Sequence, residues 1–259
     1  MKSADESLAR YSTSSLVTGL RILEFFGEGK CYRYTLSQLA RGLNIPKSSV
    51  YRVAKTLTKM GYLRYEEHSK HYYLGMRVLS LGFSLLRGME LREIARPFME
   101  MLSHECNKTV NLAILDEMDM VYVERVAVRG LRTYNISVGS RIQPWNSAVG
   151  RAVLAYMDPS DVCKMLSKAR KEGIFDGDEE TFMRTLANVR EKGFAENNQE
   201  SRPGIIAIAA PVFSSEGVVG AINIIAEPEN VSIDVLASEC APKLVKVCQE
   251  LSEALGYIP

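Results

Sequence analysis

The sequence predicts an α+β protein whose first third is a winged helix-turn-helix. Three observations carry this. Residues 35–64, TLSQLARGLNIPKSSVYRVAKTLTKMGYLR, alternate apolar and polar residues with a helical period in two short blocks. Two short strand patterns joined by a polar turn follow at 62–74. From Thr109 the period switches to that of strands, and helical and strand patterns then intermix to the end of the chain.

Charge supports the division. The 259 residues carry a formal net charge of only +1, but residues 1–75 hold 12 Lys/Arg and 6 Asp/Glu, a balance of +6, and the remainder is at −5. A basic N-terminal part for a polyanion and a neutral-to-acidic part for another partner are expected. With 46% hydrophobic residues the chain can bury a sizeable core. The five cysteines are odd in number and none has CxxC spacing, and the three histidines form no ligand pattern. Neither a structural metal, a cofactor nor a disulfide framework is expected. The start is polar and no apolar run reaches spanning length, so a cytoplasmic protein without a membrane partner is expected.

Taken in order, residues 1–13 are polar. SLVTGLRILEFFGEG places Leu16, Leu20 and Leu23 on one face, widened by Ile22, Phe25 and Phe26. A helix this apolar needs covering on more than one side, by the following hairpin and by a second subunit. Gly27 and Gly29 end it. Leu36, Leu39, Ala40 and Leu43 define the next helix, with Thr35 as N-cap and Gly42–Asn44 as stop. Pro46 suits the first turn of a third helix. There Val50, Val53, Ala54, Leu57 and Met60 share one side. The other side carries Ser48, Arg52, Lys55 and Lys59, flanked by Ser49, Tyr51 and Thr56. Hydroxyls and cations of this kind contact phosphates and base edges in a major groove, although a basic face alone also fits a solvated surface hairpin. Tyr62–Tyr65 and His71–Leu74 read as the strands of a wing that offers Lys70 and His71 to a sugar-phosphate backbone or serves as a plain structural hairpin. Glu66 and Glu67 must then point away or pair with a cation.

MRVLSLGFSLLRG, from Met76, is apolar nearly all round, as a linker helix buried between domains or subunits would be. Leu91, Ile94, Ala95, Phe98 and Leu102 mark another helix, which Pro97 kinks or starts. TVNLAIL, MVYVERV and RTYNISV read as strands. QPWNSAVGRAVLAYM turns helical near Asn146. Asp158–Pro159 opens a helix with Val162, Met165, Leu166 and Ala169 inside, and Phe182, Leu186 and Val189 mark the next. GIIAIAAPVF and GVVGAINII are strands split by a turn, and a last helix from Ile233 turns Leu244, Val247, Cys248, Leu251 and Leu255 inward.

Several ordered stretches together resemble the IclR family of bacterial transcriptional regulators. They are GLRILEFF, LSQLARGLNIPKSSVYRVAKTLTKMGYL, YYLGMRVLSLG, PWNSAVGRAVLAYM, GFAENNQESRPGIIAIAAPVF and GVVGAINI, and the match runs from about Ser15 to Gly256. The resemblance implies a winged helix-turn-helix DNA-binding domain at 1–75, a linker helix at 76–90 and a GAF-like α/β effector-binding and oligomerisation domain at 91–259. It implies a homodimer or homotetramer reading a roughly palindromic operator, commonly as a repressor. Ser48, Ser49 and Arg52 are the candidates for base-edge and nearby backbone contacts, and Lys47, Tyr51, Lys55 and Lys59 for phosphates.

The family's small-molecule effector pocket maps to Trp145, Asn146, Ser147, Ala148 and Gly150, to Asn197–Glu200 with Ala207, and to Asn223. The chain departs from common family residues at several of these. Asn146 stands for a frequent His, Arg151 for a Lys, Asn197 for an Asp, Ala207 for a Cys and Asn223 for a Ser. Three amides would orient a ligand by neutral hydrogen bonds, so the organic acids bound by some relatives are not the expected effector. Alternatives stay open for each position. Asn223 meets a ligand or neighbouring backbone, and Trp145 is a pocket wall or a core plug. Ser147 and Gly150 form an anion site or an ordinary cap, and Glu200 is a ligand contact or a structural acceptor. No paired catalytic carboxylates, nucleophile elbow, metal set or phosphate-binding glycine loop points to an enzyme. A thiol-based regulator acting through Cys31 is the remaining alternative, against an inert buried thiol.

Overall fold

The computed structural model describes residues 14–28, 31–128 and 136–258. The chain divides into two compact units, Met1–Gly88 and Met89–Pro259. The division falls inside the 76–90 stretch expected as a linker helix.

The first unit runs α1 (Ser14–Glu28), β1 (Tyr34–Thr35), α2 (Leu36–Leu43), α3 (Lys47–Lys59), β2 (Leu63–Glu66), β3 (His71–Leu74) and α4 (Met76–Arg87). Its core is Ile22, Phe26, Leu39, Leu43, Val50, Ala54, Leu63 and Tyr72. Thr35 caps α2 in a full capping box: the Gln38 amide donates to Thr35 Oγ1, and the Thr35 amide donates to Gln38 Oε1 at 2.7 Å. Asn44 ends α2 in the left-handed conformation (φ 53°). Pro46 stands one place earlier than expected, as the N-cap of α3, where its carbonyl accepts from the Val50 amide. Met60 does not join the inner face; it is 49% exposed. At about 100° per residue it lies roughly 80° round the axis from Val50 and roughly 120° from Ala54, off the buried stripe those two define. The strand after α3 begins at Leu63 rather than Tyr62, and the three-stranded sheet has the order β1-β3-β2. No residue of α4 is buried: Met76, Leu79, Leu81, Phe83 and Leu85 are each at least half exposed. The helix was expected to be buried between domains or between subunits; among the described residues none of its apolar side chains is buried. Gly29, expected to end the first helix, lies outside the described residues.

The second unit runs α5 (Glu90–Cys106), β4 (Thr109–Asp116), β5 (Asp119–Val126), β6 (Arg141–Ile142), α6 (Ala148–Leu154), α7 (Pro159–Lys171), α8 (Glu179–Lys192), β7 (Ala195–Asn198), β8 (Ile206–Ser214), β9 (Gly217–Ala226) and α9 (Ile233–Ala254). The strands make one antiparallel sheet in the order β6-β5-β4-β9-β8-β7. Pro97 neither starts nor ends α5, which continues through it. Most of the strand expected from RTYNISV lies outside the described residues. Its end, Ile136–Val138, is not strand, because Ser137–Ser140 close a turn with Gly139 at φ +89°. The sheet edge is instead Arg141–Ile142, paired with Met120 and Val121.

The two faces of the sheet follow the alternation of β8 and β9. Ala207, Ala209, Ala221 and Ile225 pack under α6, α7 and α8. On the other face, α9 is tied to β8 by the Phe213 amide donating to Ser252 Oγ at 2.9 Å. α5 is joined to β5 by buried Glu124, which pairs with Arg92 at 2.8 Å and Arg96 at 3.4 Å.

Helix α6 rests on its neighbours at backbone distance. A Cβ on Gly150 would lie 2.1–2.5 Å from the backbone of Pro144. That backbone cannot yield as a flexible side chain would, so Gly150→Ala is expected to destabilise the second unit by about 3 kcal/mol. Urea unfolding followed by the fluorescence of Trp145, the only tryptophan, reads this unit alone. An unchanged midpoint would show that α6 can shift freely.

Candidate nucleic-acid face and effector site

The basic face of α3 is presented to solvent. Lys47, Ser48, Ser49, Tyr51, Arg52, Lys55, Thr56 and Lys59 are all exposed, while Val50 and Ala54 are fully buried. Lys55 sits 5.9 Å from the Tyr51 ring centroid. Among the described residues of this unit the one ion pair is Arg33–Glu66 at 3.1 Å, so the cations of α3 are not committed to carboxylates. Glu66 also accepts from Ser69 Oγ, and Ser69 with Arg33 holds its carboxyl below the usual range. Of the two wing acids Glu66 is thereby paired, and Glu67 is exposed with no ion pair among the described residues. At the wing tip Lys70 is exposed with φ 56°, and half-buried His71 keeps one ring nitrogen, Nδ1, enclosed without a partner.

In the second unit, the residues mapped to an effector pocket form two groups. The first surrounds the N-terminus of α6. Ser147 caps that helix, its Oγ accepting from the Gly150 amide at 3.1 Å. Trp145 is 2% exposed; its indole donates to the Ile174 carbonyl at 3.1 Å and its ring meets Phe175 edge-on. Buried Asn197 donates to the Asn146 carbonyl and accepts from Ser201 Oγ. Exposed Asn146 turns its amide to Gln143. Arg151 donates to the carbonyls of Trp145 and Glu196 and to Glu200. These contacts match the cap, core-plug and structural-acceptor readings of Ser147, Trp145 and Glu200. Ala148 and Ala207 are buried in the same core.

The second group is a row of residues across the sheet. The register sets Ala195, Ala209, Asn223, Asn111 and Arg125 side by side on β7, β8, β9, β4 and β5. Asn111 Nδ2 donates to Asn223 Oδ1 at 2.8 Å, Arg125 donates to Asn111 Oδ1 at 3.2 Å, and Asn223 Nδ2 reaches the Tyr122 hydroxyl at 3.5 Å. A β-bulge opposite Leu112 and Ala113 lets Tyr122 and Arg125, three residues apart, face the same side. Burial pushes the Tyr122 hydroxyl up, against its bond to Asn223 and the positive charges of Arg202 and Arg125. Burial likewise pulls the Arg125 guanidinium down. Asn223 thus meets side chains rather than backbone. Sequence reasoning missed Asn111, Tyr122 and Arg125. The available signal was Asn111 interrupting TVNLAIL as Asn223 interrupts VVGAINII, but pairing them required the register.

An open groove of about 300 Å³ lies elsewhere, along Arg151, Asn188, Lys192, Glu196, Glu200 and Asp234. Among the described residues no three His, Cys, Asp or Glu side chains cluster as metal ligands, and no helix is long and apolar enough to cross a membrane.

Comparison with known proteins agrees with this architecture. The IclR helix-turn-helix domain matches residues 15–67, and the bacterial transcriptional regulator IclR C-terminal domain matches residues 83–253. The chain is 30% identical to the HTH-type transcriptional regulator KdgR of Escherichia coli K12, over 99% of this chain and 98% of that one. The crystal structure of an IclR transcriptional regulator from Alicyclobacillus acidocaldarius superposes with a TM-score of 0.79 at 25% identity, covering 95% of this chain and 100% of that one. That of an IclR homologue complexed with 4-hydroxybenzoate, from Microbacterium hydrocarbonoxydans, gives 0.74 at 23% identity, covering 93% and 100%. This chain belongs to the IclR family of transcriptional regulators, which are DNA-binding proteins rather than enzymes.

Proposed function

We propose that this chain is an effector-controlled repressor of a metabolic operon that binds a palindromic operator as a homodimer or homotetramer in the cytoplasm, and that its effector is a small organic anion. The observation that carries the anion is Arg125. It is a half-buried cation whose side chain has one partner among the described residues, the neutral Asn111 oxygen. A desolvated charge without a counter-ion is unfavourable, and an anion placed between Arg125, Tyr122 and the two amides would relieve it. The 4-hydroxybenzoate held by the Microbacterium homologue is a carboxylate of this kind. The reading reverses the neutral-ligand expectation, which counted amides before the register brought a cation beside them. The pocket residues of the family resemblance, from Trp145 to Gly150 with Asn197 and Ala207, then act as its wall and supports.

DNA recognition follows from the exposed cations and hydroxyls of α3. Ser48, Ser49 and Arg52 read base edges, and Lys47, Tyr51, Lys55 and Lys59, with Lys70 and His71 of the wing, hold the backbone. The exposed apolar faces of α1 (Leu16, Leu20) and α4 support a second copy of the chain as partner. A transcriptional activator is the second reading, since the family contains both kinds.

Two experiments test these assignments. With an operator selected from randomised duplexes, Lys55→Ala is expected to weaken operator and scrambled DNA alike and to lower the salt slope by about one, whereas Arg52→Ala removes the preference for the operator. Equal losses on both sequences for Arg52→Ala would reject its base-reading role. On the ligand side, a thermal-shift panel would pair small carboxylates with their primary amides. The acids are expected to raise Tm, and Arg125→Met to weaken the best of them by roughly tenfold to a hundredfold without changing operator affinity. Amides that stabilise as well as acids would restore the neutral-ligand reading.

A further inference from the structure

Residues 124 and 125 of β5 stand on opposite faces of the sheet. Arg125 joins the amide row, and Glu124 turns to α5 and is 3% exposed. One bond links the two faces: Glu124 Oε1 accepts from the backbone amide of Arg125 at 2.9 Å. Strand β6 pairs only with Met120 and Val121, so at Arg125 the one strand bordering β5 is β4, and the carboxylate adds a second hold on the backbone there. Glu124 Oε2 is held by charge. It lies 2.8 Å from Arg92 and 3.4 Å from Arg96, in the first two turns of α5. Neither guanidinium meets it at a hydrogen-bonding angle, and Arg92 Nε is likewise enclosed without a partner. Half-exposed Arg96 is shared with Glu100, at 3.0 Å. A buried network matched in charge but short of hydrogen bonds gains free energy by completing them. A shift of the Arg125 backbone would move Oε1 with it and re-aim Oε2 at α5.

We infer that Glu124 is a positioning residue for the anion, which holds the Arg125 backbone and passes the state of that site to α5, the helix that opens the second unit. The inference rests on the anion reading of Arg125. Without ligand, Arg92 and Arg96 fix Glu124, and Glu124 fixes where β5 presents the Arg125 side chain. When an anion draws the guanidinium, the carboxylate turns with the amide it accepts from, and its second oxygen closes on Arg92 and Arg96. Glu124 lies across the sheet from the row and touches no ligand itself. The start of α5 is held more firmly in the liganded state. Anion affinity and the order of α5 are then two readings of one equilibrium, so a change to either end of the network changes both.

The test titrates benzoate, acetate and succinate into the full chain by calorimetry, well below its melting temperature. Amide hydrogen exchange is then followed with and without the tightest of the three. Exchange in α5 around Arg96 is expected to slow about threefold more than in α8, which makes none of these contacts. Glu124→Gln keeps the shape and removes the charge. It is expected to weaken that carboxylate roughly 3-fold to 30-fold and to abolish the extra protection of α5. Because it leaves Arg92 without its counter-charge it can cost folding, so Arg96→Gln, on the exposed side of the network, is the second variant. It is expected to weaken binding in the same direction, by about threefold. A Glu124 that only braces the fold would lower Tm and leave the folded protein's carboxylate affinity and α5 protection unchanged. That result, with Arg125→Met still weakening the acid, would overturn this inference and leave the anion site standing. Failure of all three acids to bind the wild type would remove both. The wild-type exchange decides even where a variant folds poorly.

Discussion

Helix α6 is held against the segment that leads into it by a backbone approach that only glycine allows. Gly150 lets the helix touch the backbone at Pro144, and Ala148 and Ala152 share one buried core with Ala207, Ala209 and Ala221. At this separation the start of the helix is fixed, and with it Trp145, the Ser147 cap, the Asn197 bridge and the fan of bonds from Arg151. Interiors are packed too densely for these parts to move independently. Among the small and apolar residues of that face, buried Asn223 and Asn111 and half-buried Arg125 are the chemically distinctive groups.

Charge is handled oppositely in the two units. In the first, the cations of α3 stay in water, where carrying charge costs little and a phosphate backbone can be met by many weak contacts. The wing's Glu66 is kept out of the way by Arg33 and Ser69. In the second, charge is taken out of water and must be matched. Glu124 is matched by Arg92 and Arg96. Arg125, on the other face of the same strand, has only an amide oxygen. Two neighbouring residues of β5 thus show a completed ion pair and a cation bonded only to a neutral amide, which is the basis of the proposed anion site.

Much of this fold was legible in the sequence because it is written in local periodicity. The helix caps at Thr35 and Asp158, the stop at Asn44 and the strands β8 and β9 all depend on residues within a few positions of one another. Helix α3 was legible for the same reason: its buried and exposed sides are both set by one helical period. What was not legible depends on partners far away in the chain. Asn223 finds Asn111 across 112 residues, and Arg125 reaches the same row only through strand register and a bulge. Met60 followed the apolar count but not the angle of the buried stripe. The apolar residues of α4 predicted a buried helix, and among the described residues they are exposed.

The central claim is that an anion in the second unit and DNA on the first are energetically coupled. Linkage makes that claim reciprocal: a ligand that changes operator affinity by some factor must have its own affinity changed by the same factor when operator is bound. The direct measurement is a pair of titrations on one protein, operator binding with and without saturating ligand and ligand binding with and without saturating operator. The account predicts equal factors, of about 5-fold to 150-fold, with the ligand binding more weakly to the DNA-bound protein if it is a repressor. A ligand that binds at the Arg125 row yet leaves both affinities unchanged would contradict it.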